Sequence, residues 1–306
     1  MNPDLWKSRF KEYLELRYYS PRSVAGYTAE LDVFFRFLEA QGVESLAAIT
    51  REVMEEYRAF LFEATHRGKR ISASTQAHRL STVKVFTRFL AREKFIAIDP
   101  GAGVELPRLP QTLPRHILSE NEAEQVVETS EGVGPLDIRN RAILEVLYCT
   151  AIRNQELRDL RVEDVALDCG EVCVQRGKGA KGRMLPLGDD AVDWLKEYLA
   201  HSRPYLVRST EQMLLFLTCR GNRLGRSELA RLVRGIGRKA GVKKAVTPHV
   251  LRHSCATHML RHGAGLRQLQ ELMGHASPET TQRYTRVEVS DLRRVLKRCH
   301  PRERKA

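Results

Sequence analysis

Apolar side chains recur at helical spacing along the first third of the chain. Ser20 followed by Pro21 is a helix-start signal, because a hydroxyl caps the first turn and proline fits the first helical position. The helix that they begin ends at Gly42, and its apolar stripe comprises Tyr27, Leu31, Phe34, Phe35 and Leu38. Similar patterns cover residues 53–62 and 74–95. The pattern predicts a small helical bundle.

Prolines and glycines interrupt this periodicity at residues 99–115, which is typical of an interdomain linker. The linker separates a first domain at residues 1–98 from a second at residues 116–287. Amphipathic helices are predicted in the second domain over residues 117–127, 135–149, 191–199 and 226–239. Residues 288–306 are predicted to form a last basic helix and tail, and its apolar stripe allows docking either on its own domain or on a neighbouring subunit.

Residues 171–188 alternate in polarity around a turn rich in glycine and lysine, which predicts a β-hairpin. Its glycines also match the G-x-G-x-x-G pattern of dinucleotide-binding loops, but that loop requires a helix after the third glycine, Gly182, where a strand is predicted. Neither of the motifs HRD and DFG follows, so a kinase loop is excluded as well. The hairpin makes Lys178 a candidate for reaching into a site or groove. The predicted fold is thus mostly α, with a helical bundle and a mixed α+β domain that holds a small antiparallel hairpin.

Residues 247–287 hold the densest run of chemically capable side chains. Thr247 and a following proline are predicted to start a helix, on which His249 and Arg252 share one face because they are three positions apart. A second helix ends at Gly274; its apolar positions are Leu266, Leu269, Leu272 and Met273.

The end of this segment carries two more candidate residues. His275 is predicted to lie in the turn after the second helix. Ser277 and Pro278 are predicted to start a third short helix, which would carry Tyr284 about two turns further on. The segment therefore offers two imidazoles, a guanidinium and a phenol on short elements.

Another arginine stands after the predicted helix at residues 135–149, in the sequence TAIRNQEL. Arg153 and Glu156 are three positions apart, so the carboxylate can orient the guanidinium. A surface salt bridge on a solvated helix explains the same spacing. The octapeptide by itself favours the surface salt bridge.

The formal net charge of +13 and an isoelectric point near 9.7 favour a polyanionic partner, with nucleic acid first, over a merely basic soluble enzyme. The scattered cysteines indicate reduced thiols rather than disulfides. Histidine pairs at positions 249 and 253, and at 258 and 262, have the spacing of helical zinc ligands, but the intervening apolar residues favour packing or surface roles. No apolar run is long enough for a membrane span, and no signal peptide is predicted.

Four motifs occur in a fixed order, namely TAIRNQEL, GKGAKGRMLPL, HVLRH and GHASPETTQRY. Together they resemble the tyrosine recombinase (phage-integrase) family. The N-terminal stretch SPRSVAGYTAELDVFFRFL resembles the helical, SAM-like core-binding domain of that family, so the resemblance extends over nearly the whole chain. It implies a set of catalytic residues, which are Arg153, Lys178, His249, Arg252, His275 and Tyr284. It implies no cofactor and no metal.

The activity that this resemblance implies is site-specific recombination, in which DNA strands are cut and rejoined through a 3′-phosphotyrosine at Tyr284. The other implied residues act on the phosphate: Arg153 and Arg252 bind its nonbridging oxygens, Lys178 protonates the leaving 5′-oxygen, His249 assists proton transfer and His275 donates a hydrogen bond. The implied partners are double-stranded DNA and other copies of the chain, as a dimer on each site and a tetramer in the synapse, or a related recombinase. The expected location is the cytoplasm, on the nucleoid, and no membrane is involved.

Two residues depart from the family pattern. Ala151 stands where many members have glycine. Arg286 stands where Xer-like members usually have histidine, and this second difference favours recombinases of transposons and plasmids. A type IB topoisomerase and a catalytically silent DNA-binding protein are the alternative functions. Chromosome-dimer resolution, plasmid resolution and movement of an element stay open as biological roles.

Overall fold

The structure is a computed structural model of the chain, and it describes residues 1–108, 117–130, 132–175, 182–274 and 289–303. The chain divides into two compact units, Met1–Leu113 and Pro114–Ala306. Each unit has its own hydrophobic core.

The first unit is a helical bundle, as the sequence predicts. Its helices are α1 (Pro3–Leu16), α2 (Pro21–Ala40), α3 (Arg51–Glu63) and α4 (Ala73–Arg92). The predicted cap is present, since the Ser20 hydroxyl accepts a hydrogen bond from the Ser23 amide. Two-residue strands, β1 (Thr65–His66) and β2 (Lys69–Arg70), pair between α3 and α4 and were not predicted. Aromatic rings dominate the core, with Phe10, Phe34, Tyr57 and Phe86 fully buried.

The second unit begins with three helices, α5 (Glu120–Glu128), α6 (Pro135–Thr150) and α7 (Asn154–Asp159). A small sheet follows, and then helices α8 (Asp189–Glu197), α9 (Arg203–Leu206), α10 (Arg226–Lys239), α11 (Pro248–Arg261), α12 (Leu266–Met273) and α13 (Val289–Cys299). None of the helices among the described residues is long and apolar enough to cross a membrane.

The sheet of the second unit contains β3 (Val165–Ala166), β4 (Glu171–Val174) and β5 (Arg183–Pro186) in antiparallel order. The predicted hairpin is confirmed, because β4 pairs with β5 in the register Val172 to Leu185. A strand, not a helix, thus follows Gly182, as the exclusion of a dinucleotide-binding loop requires. The third strand, β3, was not predicted.

Helix α6 forms the centre of the second unit. The sequence predicted one buried stripe, but nearly the whole helix is buried, including the polar side chains of Arg141, Glu145 and Thr150. A helix that is covered on all sides lies inside its domain rather than at the edge. The chain leaves α6 from this interior position, which brings the residues after it close to α11 and the sheet.

Helix α13 packs on its own unit in this single chain. Leu292, Val295, Leu296 and Cys299 are buried, as the predicted apolar stripe requires. Arg293 Nη2 lies 2.7 Å from Oε1 of Glu171, the first residue of β4. Of the two docking modes that the sequence allowed, the structure contains the one within the chain.

Candidate active site

Arg153 lies at the junction between α6 and α7. Helix α6 ends at Ala151, whose backbone is left-handed with φ of +50°. That conformation suits glycine better than alanine, which explains why glycine is usual at this position in the family that the chain resembles. The turn places Arg153 at the N-cap of α7, where its side chain is 41% exposed.

Glu156 binds both the backbone and the side chain of Arg153. Its Oε2 accepts from the Arg153 backbone amide at 2.9 Å, and its Oε1 accepts from Arg153 Nη1 at 2.8 Å. The carboxylate side chain is only 14% exposed. The pair is therefore an orienting contact of the kind that the spacing suggested, and not a solvated surface salt bridge.

Helix α11 supplies two more candidate residues. The Thr247 hydroxyl caps it by accepting from the Val250 amide at 3.2 Å, as predicted. His249 is exposed in the first turn, and its ring lies parallel to that of His253 with centroids 6.4 Å apart. Burial lowers the pKa of His253, and His249 adds to the effect. Arg252 is 5% exposed and points into the unit.

The end of α12 gathers three guanidinium groups on three successive backbone carbonyls. Arg183 Nε donates to Leu272 O at 3.2 Å, Arg252 Nη2 donates to Met273 O at 2.7 Å, and Arg153 Nη2 donates to Gly274 O at 2.6 Å. These carbonyls are the ones that a helix leaves without partners at its C-terminus, where the helix dipole favours positive charge. A second donor of Arg252, Nη1, binds the carbonyl of Ala151.

Arg183 was not predicted as a site residue. It opens β5, where its side chain is 11% exposed, and it binds Glu156 with two hydrogen bonds, Nη1 to Oε1 at 2.9 Å and Nη2 to Oε2 at 2.8 Å. One signal in the sequence points to it. Arg183 and the fully buried Leu185 are two positions apart in a strand, so they share the inward face, and an inward arginine needs a carboxylate.

The cluster carries more positive than negative charge. Burial of Glu156 alone would raise its pKa, but the hydrogen bonds from Arg183 and Arg153 outweigh this effect and bring the pKa to about 2. Burial lowers the pKa of Arg252 to about 10, and the nearby charge of Arg153 contributes. Three guanidiniums against one carboxylate leave an excess of two positive charges, which suits an anionic ligand.

His258 of α11 and His262, which follows the helix, have structural roles, as the sequence favoured. His258 is fully buried, with Nδ1 2.9 Å from the Tyr148 hydroxyl and Nε2 2.8 Å from Leu118 O. His262 Nε2 lies 2.9 Å from Glu120 Oε1. These contacts place both rings in packing or surface interactions.

The structure thus brings together Arg153 and Arg252 and places His249 on the helix that carries Arg252. The other three candidates, Lys178, His275 and Tyr284, lie outside the described residues. Along the chain, His275 comes directly after Gly274. The arginine cluster therefore lies at the start of the segment that holds the last two candidates.

The chain matches family models and known proteins over most of its length. Residues 116–290 match the phage integrase family, and residues 8–94 match the phage integrase N-terminal SAM-like domain. The tyrosine recombinase XerD of Staphylococcus saprophyticus is 37% identical over 283 residues, which are 92% of this chain and 94% of that protein. The tyrosine recombinase XerC of Halalkalibacterium halodurans is 36% identical over 304 residues, 98% of each chain. The chain belongs to the phage integrase family of tyrosine recombinases.

Solved structures share the fold. The crystal structure of XerA recombinase is 33% identical and covers 96% of this chain and 97% of its own, with a TM-score of 0.50. A lambda integrase dimer bound to a COC′ core site is 19% identical and has a TM-score of 0.67, covering 94% of this chain and all of that one. The fold of both units is therefore that of known recombinases.

Proposed function

We propose that this protein is a site-specific recombinase in which Tyr284 cleaves a DNA strand at a phosphodiester held by Arg153 and Arg252. The observation that carries the proposal is the pair of arginines gathered at the end of α12, directly before the segment with His275 and Tyr284. Membership of the tyrosine recombinase family supports the same reaction.

Arg153 and Arg252 would act on the phosphate. Each terminal nitrogen of a guanidinium carries two hydrogens, so Nη1 and Nη2 can each donate to a protein acceptor and also to a phosphate oxygen. Two such groups can hold the nonbridging oxygens, and their fixed charge stabilises the pentacovalent transition state. The partial burial of the cluster strengthens this interaction, because water screens it less.

In the proposed cleavage step the Tyr284 oxygen forms a bond to phosphorus while the bond from phosphorus to the 5′-oxygen breaks. The phenol proton leaves with assistance from His249, and Lys178 supplies a proton to the departing 5′-oxygen. His275 donates a hydrogen bond to the phosphate. The phosphotyrosine conserves the bond energy, so a 5′-hydroxyl from another strand can reverse the step without a nucleotide cofactor.

Double-stranded DNA is the proposed partner, and the net charge of +13 supports it. We also propose that two copies bind each site and four form the synapse, with a related recombinase as the alternative partner. The protein is proposed to act on DNA in the cytoplasm, in line with six cysteines that are all free. Transfer between strands is favoured over topoisomerase-like relaxation by the identity to Xer recombinases over nearly the whole chain.

A covalent-trapping experiment tests the proposal. Duplexes are selected from a randomised library by binding to the Tyr284→Phe protein, and a nick is then placed beside the scissile position so that the released strand diffuses away. The wild type is expected to accumulate a covalent protein–DNA adduct, whereas Tyr284→Phe binds without forming one. Tyr205→Phe is the matched control, because Tyr205 is 68% exposed in the same unit and should leave the adduct unchanged.

The same duplexes separate the candidate functions. A recombinase exchanges strands between two selected sites and leaves a supercoiled plasmid without the site intact, whereas a topoisomerase relaxes that plasmid. The enzyme proposal fails if the wild type binds the selected duplex and forms no adduct.

A further inference from the structure

We propose that Arg183 is a positioning residue for DNA cleavage, which holds both phosphate-binding arginines through Glu156 and the end of α12. The inference rests on the proposed function of this site. Arg183 is not among the residues that the proposed function assigns to the phosphate, and its Nε, Nη1 and Nη2 all donate to protein acceptors.

The first contact of Arg183 is with the carboxylate that orients Arg153. Both terminal nitrogens bind Glu156, which accepts four hydrogen bonds in total, two from Arg183 and two from Arg153. A paired, planar contact of this kind fixes the carboxylate in direction as well as in position. Without it, Glu156 keeps only Arg153 and can rotate with it.

The second contact is with α12. Arg183 Nε donates to Leu272 O at 3.2 Å, one residue before the carbonyl that binds Arg252 and two before the carbonyl that binds Arg153. A phosphate that enters the site would also accept hydrogen bonds from Arg153 and Arg252, and its charge attracts both guanidiniums. Arg183 has its three nitrogens on Glu156 and Leu272 O and can keep the end of α12 in place.

Arg183 therefore connects three parts of the catalytic unit: the start of α7, the first residue of β5 and the end of α12. Along the chain, His275 comes directly after Gly274, and Lys178 precedes Arg183 by five positions. If the Arg183 guanidinium moved, Arg153 would be the first of the two phosphate-binding arginines to lose its fixed position, because Glu156 connects it to Arg183. Because transition-state binding depends on donor positions to within about 1 Å, the cleavage rate should suffer more than DNA binding.

The test compares Arg183→Gln with Arg139→Gln. Arg139 is a buried arginine of the same unit, 6% exposed, and its Nη1 donates to a backbone carbonyl, Leu217 O, at 2.8 Å. Both variants are assayed on the selected nicked duplex for the dissociation constant and for the single-turnover rate of adduct formation at saturating protein. We expect Arg183→Gln to lower the rate by about 10–100-fold with a dissociation constant within about threefold of the wild type. Arg139→Gln should leave the rate unchanged at a temperature where both variants are folded.

A double-mutant cycle identifies the path through Glu156. If Arg183 acts through this carboxylate, Arg183→Gln adds little to the rate loss in a Glu156→Gln background, whereas independent effects would multiply. Arg183→Lys, compared with Arg139→Lys, repeats the measurement with a smaller change, and it should regain part of the rate because it restores the charge but not the paired hydrogen bonds.

Several outcomes overturn the inference. These are a wild-type cleavage rate in Arg183→Gln, a rate loss that only follows weaker DNA binding, an equal loss in Arg139→Gln, and multiplicative effects in the cycle. The proposed function fails separately, when the wild type itself forms no adduct with the selected duplex.

Discussion

Replacing Glu156 by glutamine should destabilise the second unit, because the carboxylate is the only anion in direct contact with Arg153 and Arg183 among the residues that the structure describes. Its pKa of about 2, against an ordinary 4.5, means that the folded protein favours the charged form by about 3 kcal/mol. Glutamine keeps the size and one acceptor oxygen but loses the charge. We expect a loss of about 2–3 kcal/mol in the free energy of unfolding, or about 5–10 °C in the melting temperature of this unit.

The two tryptophans allow this loss to be measured in the full chain. Trp194 packs against the core of the second unit, and Trp6 belongs to the first, so a Trp6→Phe background reports the second unit alone. Urea unfolding followed by Trp194 fluorescence then gives the free energy for wild-type Glu156 and for the glutamine variant. Glu163→Gln is the control, since its pair with Arg161 is more than half exposed on both sides and should contribute less than about 0.5 kcal/mol.

The pH profile tests the same reasoning. The folded-state pKa of Glu156 is depressed, so its contribution is present above about 4.5 and is lost as the pH falls toward 2. The glutamine variant should lose less stability than the wild type over this interval. A difference below about 1 kcal/mol between Glu156→Gln and the wild type at neutral pH would refute the ionic role of this residue.

Two further predictions concern α11 and the end of the chain. Thr247→Ala removes the N-cap of the helix that carries His249 and should cost about 1 kcal/mol in urea unfolding, whereas Ser45→Ala, at a position whose side chain makes no capping hydrogen bond, should cost almost nothing. His300 is fully buried, and burial lowers its pKa to about 4, so its contribution to stability is present above about 6.5 and is lost as the pH falls to 4. The wild type should lose up to about 3 kcal/mol over that interval, and His300→Gln should flatten the profile; an equal slope in both proteins would contradict the assignment.

The neutral state of His300 follows from its two contacts. Nε2 lies 3.2 Å from the carbonyl oxygen of Tyr148 and must carry the hydrogen, while Nδ1 accepts from the Arg302 amide at 3.3 Å. A proton on Nδ1 would remove that acceptor. The window of His300 lies above that of Glu156, so the two residues can be separated in one titration.

Local signals predicted most of the helices well. Helices α10 and α12 have the predicted bounds, and α2 begins at Pro21 after the predicted cap, because caps, glycines and apolar stripes are properties of neighbouring residues. Helix α1 was not predicted, although Asn2 caps it by accepting from the Asp4 and Leu5 amides. Burial around all of α6 was also outside the prediction, since it depends on which elements surround that helix.

The candidate site divides in the same way. Arg153, His249 and Arg252 were named as candidates because they stand in motifs whose order along the chain is informative. The spacing of Arg153 and Glu156 left two interpretations open, and only the burial of the carboxylate and its contacts with Arg183 decide between them. Arg183 belongs to β5, so the spacing within the TAIRNQEL motif could not reveal this contact.

The acceptors at the end of α12 explain why the sequence could not show the rest. Every residue has a backbone carbonyl whatever its side chain, so the identities of residues 272–274 do not indicate that three arginines, from the N-cap of α7, β5 and α11, meet there. Gly274 is the one visible sign, because its left-handed φ of +62° ends the helix and leaves the last carbonyls free for side-chain donors. A helix end that gathers positive charge is itself a stable arrangement, which lets the arginines be held together before any phosphate arrives. Their mutual repulsion is thereby offset, and under the proposed function the cluster would be preorganised for the phosphate.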